Sequence, residues 1–208
     1  MSSKGNIQLE EIPFSKLKPP THFKTNEFTD VFQEIVNTYG VPNYKEINPA
    51  YFTIASFPFL FGVMFGDIGH GGCLLLFGII LCLFKPCLAE KYPSLSLFLS
   101  IRYLLLLMGF NAVFCGMIYN DFMSLPINFW DTCFDTKTGK LLSQDCVYPF
   151  GIDPTWYLGH NELTFFNSLK MKLSVILGVA HMSLGILLKG CNTLYSRDYL
   201  AFFNEFIP

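Results

Sequence analysis

The sequence predicts an all-α polytopic membrane protein with about four transmembrane helices: a tight helical hairpin, a third helix, a lumenal loop and a fourth helix. Three observations carry this reading. Hydrophobic residues make up 51 % of the 208 residues and charged ones only 14 %, against about 25 % charged in a soluble domain. Of the 14 basic and 16 acidic side chains, only Asp67 falls within residues 51–84. Two further windows, 100–119 and 173–188, are apolar and almost free of charge, as spans are. The 23 Phe and 10 Tyr argue against disorder. A net charge of −2 excludes a strongly basic nucleic-acid binder.

Residues 1–48 read as a water-exposed segment with five Lys and six Asp/Glu. The first 24 hold Pro13, Pro19 and Pro20 and lack the apolar run of a secretory leader. Within TNEFTDVFQEIVNTY (25–39), Phe28, Val31, Phe32, Ile35 and Val36 recur at i, i+3, i+4, i+7 and i+8, which makes one apolar helix face. Thr25 or Asn26 caps its start; Gly40 and Pro42 end it. Such a helix cannot bury its stripe alone, so docking on another domain or subunit is expected.

Residues 51–84 read YFTIASFPFLFGVMFGDIGHGGCLLLFGIILCLF. One straight helix of that length would reach roughly 51 Å, against a hydrocarbon core of about 30 Å. Gly62, Gly66, Gly69, Gly71 and Gly72 cluster at its middle with Asp67 and His70. A transmembrane helical hairpin over 49–86 fits, turning at 67–69. Pro49 suits the first turn, and Lys85-Pro86 stops the return arm. A connection over 87–99 leads to a third span over 100–119, with Arg102 near its start and Asn120-Asp121 just past its end. A loop over 120–168 carries six Asp/Glu and two Lys, with turn signals at Thr138-Gly139, Asp153-Pro154 and Gly159-His160. A fourth span over 169–189 and a tail over 190–208 complete the chain.

Basic residues set the orientation. The lysines of 1–48, with Lys85, Lys91 and Arg102 around the connection, put both segments in the cytosol. The acidic loop is then lumenal and the tail cytosolic. Lys170 and Lys172 are exceptions, on the lumenal side and at a helix N-terminus, where the macrodipole disfavours cations. Asp67 lies at the same membrane level, so a pair with Lys170 or Lys172 is expected. The alternative is that both lysines snorkel into the headgroups.

Few residues could carry chemistry. Asp67-x-x-His70 is an acid–histidine pair, but a metal or acid–base site needs another converging ligand or a substrate pocket. No clear partner exists, so no metal and no cofactor are expected, and the pair reads as a polar turn. The nearby glycines lack a preceding strand and a following Gly-Lys-Ser/Thr, so no ATP site is expected; they suit close helix packing. His181 lies mid-span, either a functional intramembrane group or a neutral histidine hydrogen-bonded to a neighbouring helix, with Asn111 a candidate partner. Cys133 and Cys146 are the two cysteines of the loop. A lumenal compartment permits a disulfide between them; two free thiols are the alternative.

Five segments resemble the a-subunit family of the vacuolar-type proton-translocating ATPase. They are KPPTHFKTNEFTDVFQEIVNTYG (18–40), FPFLFGVMFGDIGHG (57–71), RYLLLLMGFNAVFCGMIYND (102–121), YPFGIDPTW (148–156) and NSLKMKLSVILGVAHM (167–182). FGDIGHG together with SLKMKLSVILG is highly specific, and the likeness runs from about residue 18 to 208 in the family's order. The resemblance implies the end of a large cytosolic domain followed by the first four of eight membrane helices. The family's rotor-facing arginine belongs to a later helix, so Arg102 is not that residue. By analogy this piece is mainly scaffold in the membrane of an acidic organelle such as a vacuole, endosome or lysosome. Its partners would be a proteolipid ring, small accessory subunits, stator and soluble-sector subunits, and the lipid bilayer. ATP hydrolysis would occur in the separate soluble sector.

Two other readings come from different classes. An independent small channel or carrier needs a continuous polar path through its own helices, where Asn111 and His181 stand almost alone. An intramembrane metal hydrolase built on Asp67 and His70 needs bound metal.

Overall fold

The computed structural model describes residues 20–127, 130–135, 146–158 and 162–206. Pro13, Pro19 and the Thr138-Gly139 and Gly159-His160 turn signals lie outside these described residues. The molecule is mostly helical, with one two-stranded antiparallel ribbon among the described residues.

Helix α1 (Asp30–Tyr39) begins later than the capping residues suggest. Thr25 Oγ1 donates to Asp30 Oδ1, the Asn26 amide donates to Thr29 Oγ1, and the Asp30 amide donates to the Asn26 carbonyl. Residues 25–29 therefore spend their polar groups on a turn before the helix, which short Thr and Asn side chains favour. Gly40 ends α1. Its stripe does not await a foreign partner: Val31 and the fully buried Phe32 pack with Leu104, flanked by Ile54, Leu107 and Met108. Residues 54 and 101–108 of the same chain cover part of the face.

The long apolar stretch breaks at Gly66–Asp67 into α2 (Ala50–Phe65) and α3 (Ile68–Leu83). Asp67 is the N-cap of α3, its carboxylate accepting from the Gly69 amide at 2.8 Å, as the orphan donors of a first turn require. The result is not a tight hairpin. The two arms make little contact with each other; α6 (Arg102–Tyr119) lies between them and packs on both. Along α3 and α6, positions 68, 71, 75 and 78 face 116, 112, 109 and 106. One index rises by threes and fours as the other falls, so the helices are antiparallel with a single stripe in contact. A Cβ on Gly116 would sit 2.5 Å from the Ile68 nitrogen, and one on Gly109 2.5 Å from the Leu75 nitrogen. Backbone thus lies against backbone, which only small residues permit. On the other side Gly62 abuts the Asn111 backbone and Gly66 the Tyr119 ring, so α2 runs parallel to α6. Helix α6 is a wedge in a clasp.

The connection over 87–99 is built from α4 (Lys85–Lys91), a 3-10 turn (Pro93–Leu95) and α5 (Ser96–Ser100). Beyond α6, Asn120 takes the left-handed conformation at φ 57°, where Asn is tolerated. Strands β1 (Asp121–Phe122) and β2 (Leu125–Pro126) then pair, Asp121 opposite Pro126 and Phe122 opposite Leu125. A 3-10 turn at Pro154–Leu158 precedes α7 (Glu162–Ser196). At 35 residues, α7 reaches about 52 Å and overruns 169–189 at both ends. Lys170 and Lys172 consequently lie well inside the helix, not in its first turn, and the macrodipole anomaly disappears. The chain ends in short turns at Tyr199–Ala201 and Phe202–Phe206, with Phe206 packed on Gly190.

Among the described residues two helices, α6 and Phe166–Ser196 of α7, are long and apolar enough to cross a membrane. Helices α3 and α4 make a third if their 82° bend is taken within one span. Helix α2, at 16 residues, covers about 24 Å, less than the core thickness. Two to three spans, rather than four, are what helix length and composition support.

Candidate functional site

Polar side chains gather at the two ends of the clasp. At the break, Asp67 is nearly buried and all of it is occupied. Its Oδ1 accepts from the amides of Gly69 at 2.8 Å and Met123 at 2.9 Å, and its Oδ2 meets His70 Nδ1. Met123 and Ser124 turn the β-ribbon with φ of 51° and 66°, a conformation that two-residue hairpins require and that Asn or Gly normally supplies. Two carboxylates hold this costly turn: Asp67 through Met123, and Asp121 through the Ser124 amide at 2.9 Å. The Met123 side chain also covers Gly69.

Next to it stands Lys170. Its ammonium is 3.2 Å from Asp121 Oδ2 and 4.9 Å from the centre of the Tyr119 ring. Asp67 and Lys170 therefore do not pair: Asp121 takes the lysine of α7, and Asp67 takes one amide of its own helix, Gly69, and one of the ribbon, Met123. Lys172 is exposed. Tyr119 donates to the Val63 carbonyl of α2 at 3.0 Å, and Tyr157 donates to the Tyr119 carbonyl at 3.0 Å. The Asn120 amide group reaches the Ile152 carbonyl and the Tyr148 hydroxyl, both at 3.3 Å. Cys133 and Cys146 are disulfide-bonded, Cα atoms 5.6 Å apart, and buried Asp153 accepts from the Cys133 and Thr155 amides. The loop is thus sewn to the clasp.

At the opposite end, Glu27 bridges two elements. Lys85 Nζ approaches its two oxygens at 2.7 and 2.8 Å, and Arg102 Nη2 donates to it at 2.6 Å. Arg102 is buried, donates also to the Leu99 carbonyl at 2.6 Å, and stacks 4.3 Å from the Tyr103 ring centre. These cations hold the Glu27 carboxyl below its ordinary pKa, Lys85 most strongly and Arg102 in addition. Nearby, buried Asn48 donates to Gln33 at 2.6 Å and accepts from the Ala50 amide, joining α1 to the start of α2. The Ile47 amide donates to Asn192 of α7, across a cleft of about 1190 Å³ lined by Tyr44, Lys45, Lys189 and Tyr195.

Between the two ends little polarity remains. His181 Nε2 shares a 2.9 Å hydrogen bond with Ser56 Oγ of α2, not with Asn111, which donates to the Leu107 carbonyl of its own helix. A polar residue inside a helix finds its own backbone first. Among the described residues no three His, Cys, Asp or Glu side chains converge as a metal site would require. The structure gathers Asp67, His70 and Lys170 at one end, Arg102 at the other and His181 between. Glu27, Asp121, Tyr119 and Asn120 were missed as partners. Asn120-Asp121 beyond an apolar span was the one available signal; Glu27, in an ordinary charged stretch, gave none.

What the arrangement does chemically is neutralise, cap and fasten. A model of the V-type ATPase 116kDa subunit family matches residues 2–208. The V-type proton ATPase subunit a1 of Arabidopsis thaliana is 42 % identical over 201 residues, 91 % of this chain and 25 % of its own length. The vacuolar proton translocating ATPase 100 kDa subunit of Dictyostelium discoideum is 45 % identical over 199 residues, covering 91 % and 24 %. The V-type proton ATPase 116 kDa subunit a 2 of Homo sapiens is 40 % identical over 228 residues, covering 93 % and 27 %. The chain spans about a quarter of the length of these curated relatives.

Proposed function

The chain belongs to the V-type ATPase 116 kDa subunit family, and from that premise we propose that it serves as the scaffold portion of a membrane-sector stator subunit in a rotary, ATP-driven proton pump. It joins the end of a soluble arm to four membrane helices, α2, α3, α6 and α7, with the arm and the α4–α5 connection cytosolic and the loop 120–168 lumenal. Two of those helices are short for a bilayer; a locally thinned membrane or the flanking polar ends accommodate them. The pump's ring, accessory and soluble-sector subunits are its partners, and an acidic organelle is its location.

The carrying observation is that Asp67, Lys170 and Arg102 at the clasp ends are engaged in structure. Asp67 holds two amides and His70, Lys170 holds Asp121, and Arg102 holds Glu27 and a carbonyl. A proton path needs groups that exchange partners; these fasten elements. That supports a stationary frame over an independent channel, because Asn111 and His181 are each satisfied locally. The test is gentle detergent purification with mass spectrometry of copurifying subunits. Recovery of a proteolipid ring is expected; a pure monomer with bound metal would overturn the proposal.

A further inference from the structure

The segment between α3 and α6 carries apolar side chains that stay exposed among the described residues. Helix α4 leaves α3 at 82°, so if α3 crosses a bilayer, α4 runs close to the membrane plane. Along this turn Leu83, Phe84, Tyr92, Leu97 and Phe98 are exposed, Leu97 to 67 %. The orientation of α5 is fixed. Leu99 is buried and its carbonyl accepts from Arg102, which leaves Leu97 and Phe98 facing out.

Phe98 shows what kind of surface this is. Its ring meets Phe77 edge-on, centroids 6.0 Å apart. Phe77 precedes the end of α3 by six residues, about 9 Å of helix. Phe98 therefore reaches inward past the helix end, onto an outer side of α3 where Leu76, Phe77 and Ile80 are also exposed. The uncovered row on α5 is continuous with the outward apolar side of a membrane helix, not a separate groove. Polar groups flank this row in the sequence: Lys91 lies 5.8 Å from the Tyr92 ring centre, Lys85 is held by Glu27, and Ser94, Ser96 and Ser100 are exposed. Lysine, aromatic and aliphatic side chains exposed together on one segment match the headgroup boundary of a bilayer.

We propose that Lys85–Ser100 forms an interfacial shelf, α4 lying among phospholipid headgroups while Leu97 and Phe98 dip into the acyl region. The occupant of this face is lipid. The inference rests on the membrane-spanning reading given above.

Site-specific photocrosslinking in the full-length protein, in its own membranes, tests it. p-Benzoyl-phenylalanine replaces Leu97, and in a second variant Tyr92, where the shape change is small; Tyr39 of α1, 92 % exposed, is the control. After irradiation, mass spectrometry should find phospholipid adducts at 97 and 92 at least five-fold above those at 39. Adducts to protein at both positions, whether to the same chain or another subunit, or labelling equal to the control, would overturn the shelf. Alkaline carbonate extraction of the same membranes separates the two failures. Retention in the pellet without lipid adducts sinks the shelf alone, whereas release into the supernatant sinks the spanning reading beneath it.

Discussion

Asp67 concentrates more structural consequence than any other charged side chain at the break, because one carboxylate fixes the first turn of α3 and the strained turn of the ribbon together. Asp67→Ala removes the acceptor of the part-buried Gly69 amide and of the exposed Met123 amide, a loss of about 0.5–2 kcal/mol as for other helix N-caps. We expect a lower unfolding midpoint for the detergent-solubilised full-length protein by thermal melt, with Asp67→Asn falling less because an acceptor oxygen remains. Equal midpoints for Asp67→Ala and the parent would refute the lock. At the same scale the glycines separate into two kinds. Gly116→Leu drives a side chain into the Ile68 backbone, an overpacking of about 1–3 kcal/mol or more. Gly178 has nothing within 4 Å, so Gly178→Ala is tolerated and gains up to about 1 kcal/mol of helix propensity. Melting the two variants side by side checks the contrast.

Between elements, Glu27 ties the approach to α1 to the starts of α4 and α6 through Lys85 and Arg102. Its folded pKa lies below the ordinary carboxylate value. The sign follows: the tether's contribution is fully present above the unfolded pKa of about 4.3 and is lost as pH falls through the lower folded value. Glu27→Gln should therefore lower the melting midpoint near neutral pH and narrow its difference from the parent in strong acid. A gap that stays constant from pH 7 to pH 3 would exclude this tether. The same comparison shows what a sequence can convey about elements. Helix α1 was legible from five apolar residues in one stripe, and the break from glycines around a lone acid, because both signals are local. The clasp was not legible. Nothing in FGDIGHG says that its arms part around a helix whose sequence begins some twenty residues after the second arm ends. The contact stripe on α6, Leu106, Gly109, Ala112 and Gly116, is intelligible only once α3 lies against it. Nor does Met123-Ser124 resemble a hairpin turn, since the side chains that stabilise it come from Asp67 and Asp121 rather than from an Asn-Gly pair.

For the whole molecule, the polar loop is bound to the bundle through Tyr157 and Ile152 and is braced within itself by a disulfide. The disulfide closes a loop of 13 residues' separation, a constraint of about 3 kcal/mol in the chain-entropy account. Cys133→Ser with Cys146→Ser should lower the melting midpoint, and a reductant should lower that of the parent but not of the double variant. The pairing choices at this scale escaped the sequence for one physical reason. Lys170 does lie at the same end of the helices as Asp67, but which acid it meets depends on the ribbon that carries Asp121, and that ribbon exists only after α6 and its left-handed Asn120 have set the exit direction.

The wedge position of α6 bears on the order in which the protein is made. Its two flanking arms leave the ribosome first, yet the space that separates them is filled only by chain synthesised later. The α3 face that carries Gly71 and Gly78 therefore stays uncovered until residues 102–119 have been made.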